Sequence, residues 1–263
     1  MRKDYIAAAE PSDHETEFVE KYWTNVWKQE GVSQGHIDHI PRTDEYRIMM
    51  PYMAKLPKDA RLLDGGCGLG EWSLYFAQQG FSVVGLDLSR QTIEQLQARF
   101  PEAEFVDGDI RNTCFPDSSF DAYFSWGVFE HFESGPQDCV REAFRVLKPG
   151  GLLFVSVPSD NLRHAIRGIL AQPHSAANNR LRFYQWRFSR AELARELAIG
   201  GFDVLGAQSI RKRQGVLRCL HHEFGMPYEW FLTKGLSAAL APLIPGSAIS
   251  HMVLAVARKP KSE

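Results

Sequence analysis

Cysteine is scarce in this chain: four residues in 263, at Cys67, Cys114, Cys139 and Cys219, with no CxxC spacing among them. So few thiols in a chain of this length make a disulfide framework unexpected, and a reducing, cytoplasmic setting is the expectation. Long apolar runs are also lacking. The best uncharged stretch, Gly235 to Ser250, has 16 residues and is interrupted by Pro242, Pro245 and Gly246. A membrane-spanning helix needs about 20 apolar residues, so none is predicted. The first thirty residues carry Glu10, Asp13, Glu15, Glu17 and Glu20 without an apolar h-region, so no signal peptide is expected. There is no overall excess of basic charge, since the formal net charge is −2, and that disfavours nucleic acid as a partner. Internal repeats and low-complexity segments are absent. What remains, 44% hydrophobic and 24% charged residues, is the composition of an ordinary globular chain long enough to bury a sizeable core.

The charge is unevenly spread. Residues 1–159 hold 25 acids and 15 bases, whereas residues 160–263 hold 7 acids and 15 bases. Six arginines (163, 167, 180, 182, 187 and 190) fall between Asn161 and Ala191 with no acid among them. One reading is a face whose arginines are solvated or neutralised by acids of the other half. The other is a receptor for an anionic group such as a carboxylate, phosphate or lipid headgroup.

Residues 1–14 carry no clear periodicity and read as a frayed end. From Glu15 to Glu30, Val19, Tyr22, Trp23 and Val26 recur at helical spacing, and Gly31 can end that helix. A second short helix is predicted over Asp44 to Leu56. Strand and helix patterns then alternate. Strands are predicted at Arg61–Asp64, Ser82–Leu86, Glu104–Val106, Phe120–Ser125 and Leu152–Val157. Helices are predicted over Glu71–Gln79, from Ser89 to Phe100, and behind Ser134-Gly-Pro-Gln137, which reads as a capping box. Alternation resumes at a second box, Ser189-Arg-Ala-Glu192, followed by strands at Phe202–Ile210 and His251–Arg258. Five strands in about a hundred residues, separated by helices, predict an open parallel sheet with helices on both faces, whose ligands bind beyond the carboxyl ends of the strands.

Gly66, Gly68 and Gly70 lie between the first of these strands and the first of these helices, where glycine lets the backbone turn sharply and a ligand come close. The spacing is GxGxG rather than the GxGxxG of the dinucleotide fingerprint, and Glu71 follows directly, which disfavours a pyrophosphate. Asp87, at the end of the second strand, can accept bonds from two ribose hydroxyls. Asp109, after the third, can take an adenine amino proton, with Ile110 covering one face of the ring. Asp64 can bind an amine or order the loop. Each acid taken alone reads equally as a solvated carboxylate at a strand end.

With these residues in place, the chain resembles the class I S-adenosylmethionine-dependent methyltransferases. Leu63-Asp-Gly-Gly-Cys-Gly-Leu-Gly70 is similar to that family's first motif, Val84-Gly-Leu-Asp-Leu-Ser89 to its second and Gly108-Asp-Ile110 to its third. Phe120 through His131 is similar to the fourth-strand segment, and Arg145 through Val157 to the fifth. The resemblance runs from about Arg61 to Pro158, and within the family it is greatest to the small-molecule, ubiquinone/menaquinone-type subgroup. It implies a Rossmann-like, doubly wound α/β sheet of seven strands with the last antiparallel. It also implies an N-terminal helical lid (1–56) and a methyltransferase domain (57–263) with inserts at about 159–188 and 215–250. It implies that S-adenosylmethionine lies against Asp64, Gly65, Gly66, Gly68, Leu69, Gly70, Asp87, Leu88, Gly108, Asp109 and Ile110, with Ser125 and Trp126 on the methionine side. Ser125-Trp-Gly-Val128 departs from the Asn/Asp-Pro-Pro-Tyr of enzymes that methylate amide or nucleobase amino groups, which argues against such targets.

Other residues keep two readings. His131 can take a proton from an acceptor hydroxyl or simply order its loop with Glu130. Trp27, near the edge of the first helix, is the better lid residue, while Trp23 fits the packing face. A cationic sulfonium would suit such aromatic faces. His36, Asp38 and His39 lack a fourth ligand, so no metal is expected. The apolar segment 215–250, with Arg211, Lys212 and Arg213 before it, can cap a lipophilic acceptor, contact a membrane, form a dimer face or pack as an ordinary subdomain. The expected function is methyl transfer to a small or lipid-like, anionic acceptor, on oxygen first and then carbon or nitrogen. An NAD(P)-dependent oxidoreductase and a non-catalytic cofactor-binding protein are the alternatives.

Overall fold

The computed structural model describes residues 1–7, 14–31, 37–164 and 181–261. Within these, seven strands form one sheet: β2 (Arg61–Gly65), β3 (Ser82–Asp87), β4 (Glu104–Asp107), β5 (Phe120–Trp126), β6 (Leu147–Pro158), β8 (Asp203–Ile210) and β9 (Met252–Arg258). Their spatial order is β4-β3-β2-β5-β6-β9-β8. Pairing is parallel from β4 through β6, and β9 runs antiparallel to both β6 and β8. This is the expected seven-stranded sheet with its last strand reversed. The order changes direction between β2 and β5, and the crevice at that switch point opens at the carboxyl ends of the strands.

Strand identity follows from burial on both faces. Leu62, Leu63, Val84, Leu86, Ala122, Tyr123, Phe124, Phe154 and Val155 are all buried. One layer packs β strands against α5 (Gln137–Val146) and α6 (Arg190–Ile199) through Cys139, Val140, Ala143, Leu193 and Leu197. The opposite layer packs them against α2 (Asp44–Met53) and α3 (Glu71–Gln78) through Met49, Met53 and Phe76. Ser89 caps α4 (Arg90–Arg99) by accepting from the Thr92 N–H. Ser189 and Glu192 form the reciprocal box that starts α6.

Two expectations are corrected. The Ser134–Gln137 box does not form: α5 begins after Pro136 with no side-chain cap. The Gln137 amide instead donates to the carbonyl and carboxylate of Glu196 on α6, at 3.2 and 2.5 Å. The first residues are not frayed. Arg2–Ala7 is a strand, β1, paired antiparallel with β7 (Leu181–Arg187) in a separate two-stranded sheet. Between β1 and the main sheet lies α1 (Glu15–Glu30), which contains no fully buried residue. It is tied down at named points: Thr24 Oγ1 sits 2.6 Å from Ser89 Oγ, and Arg111 holds Glu15 at 3.0 Å and Thr16 at 2.7 Å.

The segment after β8 also has structure of its own. α7 (Lys212–Phe224) and α8 (Phe231–Leu240) form a hairpin around Val216, Leu220, Ala241 and Ile249.

Candidate active site

A cavity of about 290 Å³ lies at the carboxyl ends of β2 to β5, roofed by α1. Of the residues singled out from sequence, Asp64, Gly66, Gly68, Leu69, Asp87, Leu88, Gly108, Asp109, Ile110, Trp126, Trp27 and His131 line it together. Gly65, Gly70 and Ser125 do not. Gly65 faces the Tyr123 ring inside the sheet. Gly70 takes φ +75° as the N-cap of α3, with the Phe105 ring where its Cβ would be. Ser125 is buried and donates its hydroxyl to the Gly65 carbonyl at 2.6 Å, holding strand to strand. These three shape the loop from behind. His36 lies outside the described residues. Of its companions, His39 sits 3.9 Å from Glu71, and no cluster able to hold a metal occurs among the described residues.

The loop explains its own glycines. Gly66 and Gly68 have φ of +79° and +51°, which side chains rarely tolerate. A Cβ on Gly66 would collide with the Val128 methyls, and one on Gly68 would come within 2.8 Å of the Trp27 ring. The N–H groups of Gly66 and Cys67 both donate to the Leu86 carbonyl, at 2.7 and 2.9 Å, so the loop is strapped to the end of β3.

Asp87 completes that strap. Its two carboxylate oxygens accept from the Gly68 and Ser89 N–H groups, at 2.8 and 2.9 Å. Each oxygen keeps a free lone pair, so the carboxylate can still accept two ligand hydroxyls. Burial pushes its pKa up, against the backbone N–H bonds that favour the charge. Asp64, buried behind it, accepts from Ser73 Oγ at 2.7 Å, and burial pushes its pKa up to about 7. Asp109 is engaged by Arg111, at 2.7 Å for the closest pair, and Arg111 in turn lies 4.1 Å over the Phe132 ring.

The opposite wall is aromatic. Trp23 and Trp27 stack at 5.1 Å, and Trp23 meets the His131 ring at 5.2 Å. Both tryptophans line the cavity, so Trp23, which fits the packing face, shares the lid position with Trp27: helical spacing places 23 and 27 on one face. The buried indole N–H groups of Trp27 and Trp126 have no partner among the described residues. His131 Nδ1 lies 2.8 Å from the Tyr184 carbonyl. A carbonyl only accepts, so Nδ1 carries the proton and Nε2 the lone pair. Burial lowers this imidazole's pKa to about 4, against the carbonyls of Tyr184 and Gly127, so it is neutral at physiological pH. Its neighbour Glu130 is pushed up to about 8 by burial.

Sequence reasoning missed Val19, Trp72, Gly127, Val128, Phe132 and Arg211 as lining residues. Gly127, Val128 and Phe132 flank His131 in sequence, and that adjacency was an available signal. Arg211 has none; it arrives from the end of β8, held by Asp44 and Glu45 at 2.7 and 2.6 Å. Two of the four described arginines of the run are paired with acids. Arg163 pairs with Glu223, Arg187 with Asp4, and Arg182 lies over the Phe18 ring. Arg167 and Arg180 lie outside the described residues.

Among the described residues, the cavity therefore presents Glu30, Asp64, Glu71, Asp87 and Asp109 against a single cation, Arg211, that is already paired. Such a lining suits a cationic ligand carrying hydroxyls and repels a diphosphate. Residues 63–155 match the family described as methyltransferase domain. That segment, residues 63–155, is a methyltransferase domain of the S-adenosylmethionine-dependent kind. The cofactor of this methyltransferase domain is S-adenosylmethionine, and the acid-lined, glycine-floored cavity fits its charge. A malonyl-[acyl-carrier protein] O-methyltransferase of Enterobacter lignolyticus is 36% identical over 129 residues, 47% of this chain and 51% of that protein. A demethylmenaquinone methyltransferase of Renibacterium salmoninarum is 38% identical over 111 residues, 42% and 46% of the two chains. The chain spans about half the length of the curated relatives it matches. Among solved structures, the Burkholderia thailandensis 1,6-didemethyltoxoflavin-N1-methyltransferase with bound S-adenosylhomocysteine superposes with a TM-score of 0.59. It is 17% identical and covers 99% of this chain and 96% of its own.

Proposed function

We propose that the whole chain is an S-adenosylmethionine-dependent methyltransferase acting on a small or lipid-like acceptor, on oxygen in preference to carbon or nitrogen. The observation that carries this reading is the pairing of the Asp87 carboxylate, held open by two backbone N–H groups, with a neutral His131 across one cavity. When bound, S-adenosylmethionine supplies an electrophilic methyl group on a sulfonium. Asp87 holds the ribose hydroxyls. Ile110 and Leu88 cover the adenine, and Asp109, oriented by Arg111, offers it a remaining acceptor. Asp64 and the indole N–H groups of Trp27 and Trp126 face the amino-acid end.

On the acceptor side, Trp23 and His131 form the wall, with α1 as the lid. His131 Nε2 receives the proton from the acceptor hydroxyl while its Nδ1–H stays on the Tyr184 carbonyl, so the ring keeps its orientation through the transfer. Burial under the tryptophans excludes water, which strengthens alignment over hydrolysis. The relatives' names include malonyl-[acyl-carrier protein] and demethylmenaquinone, which supports a small or lipid-like acceptor.

Titration calorimetry with S-adenosylhomocysteine, and NADH as the parallel ligand, tests the reading. Binding of the first and none of the second is expected. The reverse would replace it with an oxidoreductase, and binding without turnover across an acceptor screen would favour a non-catalytic binding protein.

A further inference from the structure

The hairpin of α7 and α8 keeps its own apolar core, with Leu236 and Leu240 packed inward, yet carries further apolar residues on the outside. α8 buries Thr233 and Ser237 completely while leaving Phe231 86% exposed, with Leu232 and Lys234 beside it. At the turn of the hairpin, Phe224 and Trp230 are 71% and 55% exposed. Farther along, Gly235, Ala238, Ala239 and Leu243 continue the same outer face. From Trp230 to Ser250, Lys234 is the single charged residue. An ordinary surface helix turns its apolar stripe inward, and scattered exposed apolar residues need no explanation, but a contiguous strip of them does. No helix among the described residues is long and apolar enough to cross a bilayer. A ten-residue helix is about 15 Å long, which suits lying in an interface and not spanning it.

Charge selects the occupant. Residues 211–250 hold five basic side chains against Glu223 and Glu229; Arg211 is paired with Glu45 and Lys234 with Glu229, so the basic flank consists of Lys212, Arg213 and Arg218. Arg213 reaches along α8, its guanidinium 3.4 Å from Ser237 Oγ and from the Lys234 carbonyl. Cationic groups thus flank the apolar strip, while tryptophan and phenylalanine occupy its tip. That combination matches the boundary between anionic headgroups and acyl chains, where basic residues near the surface are attracted to the headgroups. A hydrophobic protein partner would not require the basic flank.

We propose that the α7–α8 hairpin is an interfacial anchor that docks the protein on an anionic phospholipid surface, inserting Phe224, Trp230, Phe231 and Leu232 with Lys212 and Arg213 at the headgroups. The anchor leads directly to the cavity, because Arg211 both precedes α7 and lines the active-site wall. Docking therefore brings the cavity mouth to the layer where a lipid-like acceptor resides. The anchor does not depend on the chain being a methyltransferase, and its test reads no activity.

The test is co-sedimentation of the full chain with vesicles of phosphatidylcholine alone or with 30 mol% phosphatidylglycerol added (about a third anionic, comparable to PS-rich membranes). Sedimentation with the anionic vesicles is expected, at least tenfold above the neutral ones at low salt and weakened by added salt. Phe231→Asp with Leu232→Asp should lower it at least tenfold while leaving the melting temperature and S-adenosylhomocysteine affinity unchanged, since both side chains are exposed. Lys212→Glu with Arg213→Glu should remove the preference for anionic vesicles. Equal sedimentation of the Phe231/Leu232 variant, or none by the intact chain, overturns the proposal. A concentration-dependent dimer by sedimentation velocity that the same variant abolishes would reassign the strip to a second copy of this chain.

Discussion

Removing the Asp87 carboxylate is the sharpest test of the cofactor assignment. In Asp87→Ala, two ligand-facing acceptor positions disappear together with the acceptors for the Gly68 and Ser89 N–H groups. Hydrogen bonds to a charged group contribute about 1.5–3 kcal/mol. With a factor of ten per 1.4 kcal/mol, the Kd for S-adenosylhomocysteine should rise by roughly 10–150-fold. Stability should change less, because two opposed effects meet there. The Gly68 and Ser89 donors lose their partner, but a buried carboxylate whose pKa burial has raised is also removed. Asp87→Asn keeps the shape yet must set its amide N–H₂ against one of the two backbone donors, so it should fall in the same range. Calorimetry at pH 7.5, beside a thermal melt, separates affinity from folding. An affinity within twofold of the parent, in a protein that melts normally, would mean that the ribose does not lie on Asp87, and the site assignment would fail with it.

Asp64 should make stability and binding pull in opposite directions. Its folded pKa of about 7 lies above the 3.8 usual for an aspartate in water, so the native state holds a proton that the unfolded state has lost between those pH values. Stability should therefore decline as pH rises from about 4 to about 7, and Asp64→Asn should raise the melting temperature at pH 8 more than at pH 5 while weakening S-adenosylhomocysteine binding. An equal shift at both pH values would refute the burial argument. Replacing His131 by alanine should lower kcat by about 10²-fold or more, the scale of general base catalysis. Because the ring protonates only near pH 4, kcat of the parent at saturating S-adenosylmethionine should stay flat between pH 5.5 and 7.5; an acidic limb centred near 6.5 under saturation would contradict the buried, neutral imidazole. Gly68→Ala combines a left-handed backbone, costing about 1–2 kcal/mol, with a contact on the Trp27 ring. It should lower the melting temperature and cofactor affinity together, whereas Gly31→Ala, with open space around its Cβ, should lower stability alone.

Legibility in the sequence tracked the range of the interaction. The glycine loop, Asp87 and the Ser89 and Ser189 caps could be read because strand, turn and helix signals sit within a few residues of one another. The Ser134–Gln137 box failed for the opposite reason: a glutamate 59 positions away, Glu196, competes for the Gln137 amide. β1 was invisible because Arg2–Ala7 has no alternation of its own and becomes a strand only against β7, some 180 residues later. Trp23 was assigned by periodicity to a packing face, but the surface it packs on is the cavity wall itself. Of the five acids around the cavity, Asp64, Asp87 and Asp109 each read singly as a solvated carboxylate at a strand end; their convergence in space is a tertiary fact that no local pattern carries.

The small sheet of β1 and β7 bears on how this protein can be altered. β7 supplies the Tyr184 carbonyl that orients His131, and Tyr184 also packs its ring 5.3 Å from Tyr22 on α1. β1, immediately before α1, is hydrogen-bonded along the same strand. The roof over the cavity and the strand that sets the histidine are thus one mechanical unit assembled from segments some 180 residues apart in sequence. Acceptor preference should not transfer to another methyltransferase by grafting the N-terminal helix alone. A working chimera would have to exchange residues 1–31 and 181–187 as a pair, and drift in one segment would be tolerated only alongside compensating drift in the other.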